Sequence, residues 1–149
     1  MSLFKTVEMD IDRSSKINEL NVLCQNTLID NLGIEFLSAN VGEVVARMPV
    51  DARTIQPFKI LHGGASLALA ETVASAGSAL LVDLSKSSVV GIEVNGNHVG
   101  SANSGFVIAT ASIVHKGERT HVWNVEIADE TNRKIMIGRV TVMVVPKKQ

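Results

Sequence analysis

One stretch of this chain limits the possible folds more than any other. From Ile60 to Val82 the only formally charged side chain is that of Glu71, and a segment of this length could cross a lipid bilayer. However, glycine, serine and threonine interrupt its apolar residues, and neither Trp nor Tyr flanks it as an interfacial anchor. We therefore predict a long helix, from about Gly63 to about Val82, buried inside a soluble protein.

The size and charge of the chain narrow the functional classes. Its 149 residues predict one domain, from 14 to 149, behind a flexible tail at 1–13. The 14 basic and 15 acidic side chains give a formal net charge of -1, which argues against a general binder of nucleic acids or membrane surfaces. With no Tyr, 1 Trp and 4 Phe, stacking platforms for single-stranded nucleic acid are not expected either.

Cysteine and histidine are too sparse for a disulfide or metal framework. Cys24 is the only cysteine, and the histidines lack the spacing of a helical metal pair. The N-terminal segment is acidic and has no long apolar run, which is unlike a secretory signal. We therefore expect no metal, no cofactor and a cytoplasmic location.

Periodicity and turn residues divide the rest of the chain into elements. A first helix is predicted at 14–31, ended by Gly33, and strands are predicted at 34–39 and 43–50. Four more strands are predicted after the long helix, at 89–99, 106–114, 120–128 and 134–145. Short turns between these four predict a meander of antiparallel neighbours. The fold class is α+β, with the long helix covering the apolar face of an antiparallel sheet.

Glu71 is the candidate chemical group on the long helix. An ionisable side chain among alanines and leucines carries a desolvation cost unless partners or solvent reach it. A residue solvated on one face of the helix is the simpler explanation. Ser75 lies one turn further along, on the same face, where its hydroxyl could reach the carboxylate or a bound water.

Gly63 and Gly64 stand where the helix begins. Free N–H groups of a first turn, together with the helix dipole, can stabilise a developing oxyanion, although a glycine pair before a helix is often only a turn. About 10 Å of helix rise separates Gly64 from Glu71, which is too far for one helix to place both groups on one atom. The sequence therefore predicts a site at a dimer interface, where one subunit supplies the carboxylate and the other the glycines.

The stretch from Gln56 to Glu71, QPFKILHGGASLALAE, resembles the signature of hotdog-fold acyl-CoA thioesterases. The similarity continues through 89–99 and 117–123 and covers most of the chain from 30 to 146. It points to the subgroup of 1,4-dihydroxy-2-naphthoyl-CoA hydrolases of menaquinone synthesis and Arthrobacter-type 4-hydroxybenzoyl-CoA thioesterases. The resemblance implies a sheet wrapped around the central helix, hydrolysis of an acyl-CoA thioester, a catalytic homodimer and a homotetramer.

The resemblance also implies roles for individual residues. Glu71 matches the nucleophile or general base, and Ser75 matches a hydroxyl that assists the hydrolytic water. The Gly63 N–H matches the group that polarises the thioester carbonyl, beside Gln56 and His62. The contacts to substrate and coenzyme A fall on Gly64, Gly91, His98, Val99, Gly100, Ser101, His115, Lys116, Gly117, Glu118, Arg119 and Thr120.

Two of these contact regions differ in what they could offer to the phosphates and the nucleotide of coenzyme A. Lys116 and Arg119 flank a glycine turn, so charge and free backbone donors could meet phosphates there; an ordinary solvated hairpin tip is the alternative. Some relatives carry an arginine where this chain has Gly100. Nucleotide recognition at that point is therefore expected to be weaker or built differently.

Two other functions are compatible with the same residues. A hotdog dehydratase or hydratase would also use a histidine and an acidic residue, as His62 and Glu71 could provide. A non-catalytic acyl-CoA-binding dimer is a second alternative. For a hydrolase, the subgroup implies an aromatic acyl group of the dihydroxynaphthoyl or hydroxybenzoyl type, with a medium-chain acyl group as the alternative.

Overall fold

The computed structural model of the protein describes residues 15–147. The tail predicted at 1–13 lies outside this range, as do residue 14 and the last two residues of the predicted domain. The helical segments are α1 at 15–23, α2 at Leu28–Asn31 and α3 at Gly63–Ala79. The strands are β1 at Glu35–Asn40, β2 at Glu43–Pro49, β3 at Ser87–His98, β4 at Phe106–Lys116, β5 at Thr120–Asp129 and β6 at Lys134–Pro146.

The strands form one antiparallel sheet in the order β1-β2-β4-β5-β6-β3. The sheet packs around α3, which contacts every one of the six strands. The helix can approach the sheet closely because small residues dominate its buried face: Ala65, Ser66, Ala70, Ala74, Gly77 and Ser78 are all buried. The predicted α+β class, an antiparallel sheet around one long helix, is confirmed.

Alternation along the strands decides which side chains meet the helix. On β5 every second residue is buried: His121, Trp123, Val125 and Ile127. Trp123 is the largest fully buried side chain, and its indole N–H donates to the Ser78 Oγ of α3 at 2.8 Å. Gly77 is needed beside it, because a Cβ atom there would lie 2.5 Å from the indole ring.

The helices differ from the prediction in two ways: the first is divided into two, and the long one is shorter. The single helix predicted at 14–31 is wrong, because the chain turns between α1 and α2. Asn26 adopts a φ of 60° there, and the Thr27 hydroxyl caps α2 by accepting a hydrogen bond from the Ile29 N–H at 3.2 Å. At the other end of the stretch, α3 ends at Ala79, short of the predicted Val82. Within residues 15–147, no helix has the combination of length and apolar character that a membrane span requires.

The predicted four-strand meander is wrong for its first strand. Strand β3 pairs with β6 at the edge of the sheet and does not pair with β4. Residues 99–105 carry the chain past the start of α3, where the Ala102 carbonyl accepts a hydrogen bond from the Leu61 N–H at 2.7 Å. The chain does turn at Gly105, which has a φ of 73°. This turn stands at the end of the connection that crosses from β3 to β4, and it does not join two paired strands. A local turn signal does not reveal which strands become neighbours.

Candidate active site

Glu71 lies on the side of α3 that lines an apolar cavity of about 440 Å³. The helix contributes Thr72 and Ser75 to the same wall, together with alanines one turn to either side. The facing wall is formed by apolar side chains of α1, α2 and β1, between Leu20 and Phe36. Glu71 and Ser75 therefore share one cavity, as their spacing along the helix predicts.

A cysteine also lines this cavity. Burial raises the pKa of the Cys24 thiol, and the nearby Asp30 carboxylate raises it further. The thiol is therefore kept un-ionised at neutral pH, which makes it a poor nucleophile. Among the groups along this cavity, the Glu71 carboxylate is the one suited to attack a carbonyl or to take a proton from water.

Strand β3 approaches Glu71 closely at Gly91. A Cβ atom built on Gly91 would collide with the Glu71 Oε1 and lie 3.1 Å from its Cδ. Glycine at this position therefore leaves the space that the carboxylate occupies. The resemblance places Gly91 among the coenzyme A contacts, and within one subunit this residue borders the candidate catalytic carboxylate.

The beginning of α3 lines a second cavity, of about 390 Å³. Its wall combines the loop before the helix, the first turn of the helix and the segment that follows β3. It brings together six of the predicted site residues: Gln56, His62, Gly63, His98, Gly100 and Ser101. Glu71 and Ser75 do not line it, so a single chain keeps the carboxylate and the helix start in separate cavities.

His62 is the N-cap of α3. Its Nδ1 accepts a hydrogen bond from the Gly64 N–H at 2.8 Å, so the hydrogen of a neutral ring is assigned to Nε2. Within residues 15–147, no group accepts a hydrogen bond from the Gly63 N–H. Of the two glycine N–H groups predicted to be free at the helix start, only that of Gly63 is free within the described part of the chain, because the Gly64 N–H donates to the His62 side chain.

Two more polar side chains surround Gly63. The Gln56 Oε1 accepts a hydrogen bond from the Phe58 N–H, which fixes the orientation of the amide. His98 lies against Gly63 from the end of β3, because a Cβ atom on Gly63 would be 2.9 Å from the His98 Nε2. A carbonyl bound at the Gly63 N–H would therefore lie among polar groups from three segments of the chain.

The end of β3 explains what Gly100 contributes. A Cβ atom on Gly100 would collide with the Lys134 carbonyl, so the arginine found there in some relatives would require the backbone to shift. The N–H groups of Val99 and Gly100 both donate to the Ile135 carbonyl, at 2.9 and 3.1 Å. The Val99 side chain is exposed. Gly100 therefore brings backbone close to the cavity and contributes no charge.

The tip of the β4–β5 hairpin carries the remaining predicted contacts. His115, Lys116, Glu118 and Arg119 are exposed, and neither cation forms an ion pair with another described residue. The Gly117 N–H donates to the Thr120 carbonyl at 2.9 Å. The Gly117 N–H is therefore not a free backbone donor, contrary to the expectation for this glycine turn. The side chains of Lys116 and Arg119 are the groups of the turn that could bind phosphates. This hairpin lines neither of the two cavities.

Comparisons with known proteins agree with this architecture. Residues 58–136 match the family model of the thioesterase superfamily. A 1,4-dihydroxy-2-naphthoyl-CoA hydrolase of Escherichia coli is 40% identical over 129 residues, which cover 87% of this chain and 94% of that protein. The proofreading thioesterase EntH of Klebsiella pneumoniae is 39% identical over 122 residues, covering 82% and 88% of the two chains. The crystal structure of a mutant of the thioesterase PA1618 from Pseudomonas aeruginosa has a TM-score of 0.86 at 43% identity, covering 88% and 94%.

A sheet wrapped around one central helix, together with these structural neighbours, defines a hotdog-fold protein. The chain belongs to the thioesterase superfamily. It is accordingly an enzyme, a thiolester hydrolase, and the expected family resemblance is confirmed.

Sequence reasoning missed parts of both cavities. The apolar side chains between Leu20 and Phe36 follow helix and strand patterns, and nothing local in the sequence indicates that they face Glu71. The predicted site residues also do not include Ser66, which lines the second cavity. Its position gives a usable signal, since a serine three residues after Gly63 lies on the same face of the helix.

Proposed function

We propose that the protein hydrolyses an acyl-CoA thioester, with Glu71 of one subunit acting on a thioester held at the Gly63 N–H of its partner. The observation that carries this proposal is the division of one helix between two cavities. One contains a carboxylate and the other contains a free N–H donor. Each subunit would supply a different half of each of two equivalent sites.

The chemistry requires an attack on the carbonyl carbon, stabilisation of the oxyanion and departure of the coenzyme A thiolate. As a general base, Glu71 would take a proton from water while the water oxygen attacks the carbonyl carbon. As a nucleophile, it would displace the thiolate to give an anhydride that water then cleaves. Ser75 shares the cavity of Glu71 and would orient the water in either case. Neither route calls for a metal or a cofactor.

The edge of the sheet supports a homodimer as the catalytic unit. Among residues 15–147, strand β3 has a partner on one side only, and it carries the exposed side chains of Val90 and Ile92. An unpaired edge with exposed apolar side chains is a surface that another chain can pair with. Because Gly91 lies between them and borders Glu71, pairing along β3 would bring a second subunit next to the carboxylate. Two such dimers would form a homotetramer.

The acyl group would occupy the cavity beside Glu71. Its wall is largely apolar, as is usual for a site that buries a small organic group. The dihydroxynaphthoyl-CoA hydrolase name of relatives at 40% identity supports an aromatic acyl group of the dihydroxynaphthoyl or hydroxybenzoyl type. The mostly aliphatic wall supports a medium-chain acyl group as the second candidate.

Substitution of the carboxylate tests the proposal. Glu71→Gln keeps the shape of the side chain and removes its charge, so we expect turnover of the best acyl-CoA substrate to fall by about a hundredfold or more. Circular dichroism and size-exclusion chromatography should show an unchanged fold and dimer. Glu126→Gln is the matched control, since Glu126 is exposed and pairs with Lys134 at 3.0 Å. Near-normal hydrolysis by Glu71→Gln would refute the assignment.

A panel of aromatic and aliphatic acyl-CoA substrates, with thiol release as the assay, identifies the acyl group. The two other functional classes have different signatures. A dehydratase or hydratase would change the absorbance of an enoyl thioester without releasing thiol. A non-catalytic binding protein would bind coenzyme A thioesters and release no thiol from any member of the panel.

A further inference from the structure

Ser66 is a buried serine whose hydroxyl the protein does not satisfy. The residue is 1% exposed, and its Oγ has no hydrogen-bond partner among residues 15–147. A serine or threonine inside a helix ordinarily bonds back to a carbonyl one turn earlier. Thr72 of the same helix does so, donating to the Ala68 carbonyl at 2.7 Å. The Ser66 hydroxyl makes no such bond.

A second buried serine on α3 shows the usual arrangement. Ser78 is also fully buried, and its Oγ accepts the indole N–H of Trp123 at 2.8 Å. An unsatisfied buried hydroxyl costs free energy, and in a folded protein it calls for an explanation. For Ser66 the explanation lies in its surroundings, since it lines the cavity at the helix start together with Gly63 and His98.

The position of Ser66 relative to Gly63 indicates what it binds. Residues three apart on a helix lie on the same face, so Ser66 and Gly63 line the same side of the cavity. An oxyanion can accept hydrogen bonds from two donors at once, and donors already in place stabilise the charge that develops on it. A coenzyme A thioester has such an oxygen at its reacting carbonyl.

We propose that the Ser66 hydroxyl donates a hydrogen bond to the thioester carbonyl oxygen, beside the Gly63 N–H. Ser66 is then a catalytic residue that touches the substrate, and it forms no covalent bond in the reaction. Its hydrogen bond strengthens as the carbonyl oxygen gains charge and weakens again when the thiolate leaves. This inference rests on the proposed acyl-CoA thioesterase function, for which it supplies a second donor.

A pair of serine variants separates this role from a structural one. Ser66→Ala should lower kcat/KM by about tenfold or more, because a donor to the oxyanion is lost. Its melting temperature should stay the same or rise, since an unsatisfied buried hydroxyl is removed. Ser78→Ala should do the opposite, with a lowered melting temperature and kcat/KM within about twofold of the parent. Parental kcat/KM in Ser66→Ala would overturn the proposal.

Binding of two substrate analogues tests the contact itself without turnover. One analogue has a methylene between the carbonyl and the sulfur of coenzyme A, and so retains the carbonyl. The other has a methylene in place of the carbonyl. Ser66→Ala should weaken binding of the analogue that retains the carbonyl by about tenfold. It should weaken binding of the analogue without the carbonyl by less than about twofold. Equal changes for both analogues, or none, would mean that Ser66 does not contact the carbonyl.

The results also distinguish the two proposals from each other. If the parent protein hydrolyses acyl-CoA and Ser66→Ala matches it, the inference about Ser66 fails while the proposed function stands. If the parent hydrolyses no acyl-CoA in the panel, the proposed function fails. The comparison of the two analogues then decides separately whether Ser66 contacts a bound carbonyl, and failure of the parent to bind the carbonyl analogue would overturn that contact as well.

Discussion

The two cavities along α3 are built from different parts of the protein and offer different chemistry. The cavity beside Glu71 has an apolar wall from α1, α2 and β1 and contains a carboxylate. The cavity at the helix start has walls from two connecting segments and is lined by Gly63, whose N–H is free, and by Ser66, whose buried hydroxyl has no partner among the described residues. One helix thus holds the Glu71 carboxylate and the free Gly63 N–H apart in separate cavities, and under the proposed function a complete site would need two copies of the chain.

Mixed dimers give the largest effect that this comparison predicts. Under the proposed function, Glu71→Gln should disable one half of the site, and the double variant Gln56→Ala/His62→Ala should disable the other. A dimer containing one chain of each kind would have one site with both halves intact and one with both halves changed. We expect purified mixed dimers to recover about half of the parental activity per dimer, because one of two symmetric sites is restored.

Two affinity tags allow the mixed dimer to be isolated and its thiol release to be measured. The controls are the two homodimers, each carrying the same tags. If the mixed dimer is as inactive as both homodimers, the carboxylate and the helix start act within one subunit, and the division of the site is wrong.

A methyl group at Gly91 should disturb the carboxylate half alone. Gly91→Ala places a Cβ where the Glu71 Oε1 lies, and a displaced catalytic group can lose about a hundredfold in rate. We expect a decrease in kcat of at least about tenfold, with the fold retained. Gly96→Ala is the control on the same strand, because its Cβ would meet the flexible end of Met136. Equal effects of the two variants on kcat would show that disturbing β3, not displacing Glu71, causes the loss.

The smallest expected effect is the loss of stability when the His62 cap is removed from the start of α3. His62→Ala removes the acceptor of the Gly64 N–H, which should lower the free energy of unfolding by about 1 kcal/mol. His62→Asn keeps a side chain that can cap a helix and should retain most of that stability. Denaturant unfolding followed by circular dichroism measures both. Equal free energies of unfolding for His62→Ala and the parent would mean that the Nδ1 cap contributes little to stability.

The sequence predicts local features well because each depends on residues close together in the chain. The α3 helix follows from its composition, and the sharing of a cavity by Glu71 and Ser75 follows from a helical spacing of four. The position of β3 depends on pairing with β6, more than thirty residues further on in the chain. A local pattern contains no information on such long-range pairing.

The walls of the two cavities were unpredictable for the same reason. Cys24 and Phe36 reach the Glu71 cavity only because α1, α2 and β1 pack across α3. His98 and Gly100 reach the helix start because the chain crosses over after β3. For these four residues the family resemblance supplied two positions, His98 and Gly100, and the residue pattern itself supplied none.

The hydrogen bond between Trp123 and Ser78 has a practical consequence. Trp123 is the only tryptophan of the chain, and it is fully buried where β5 meets α3. Its fluorescence therefore reports one event, the docking of the central helix against the sheet, without any label. It lines neither cavity, so the same signal separates variants that loosen the core from variants that only impair hydrolysis.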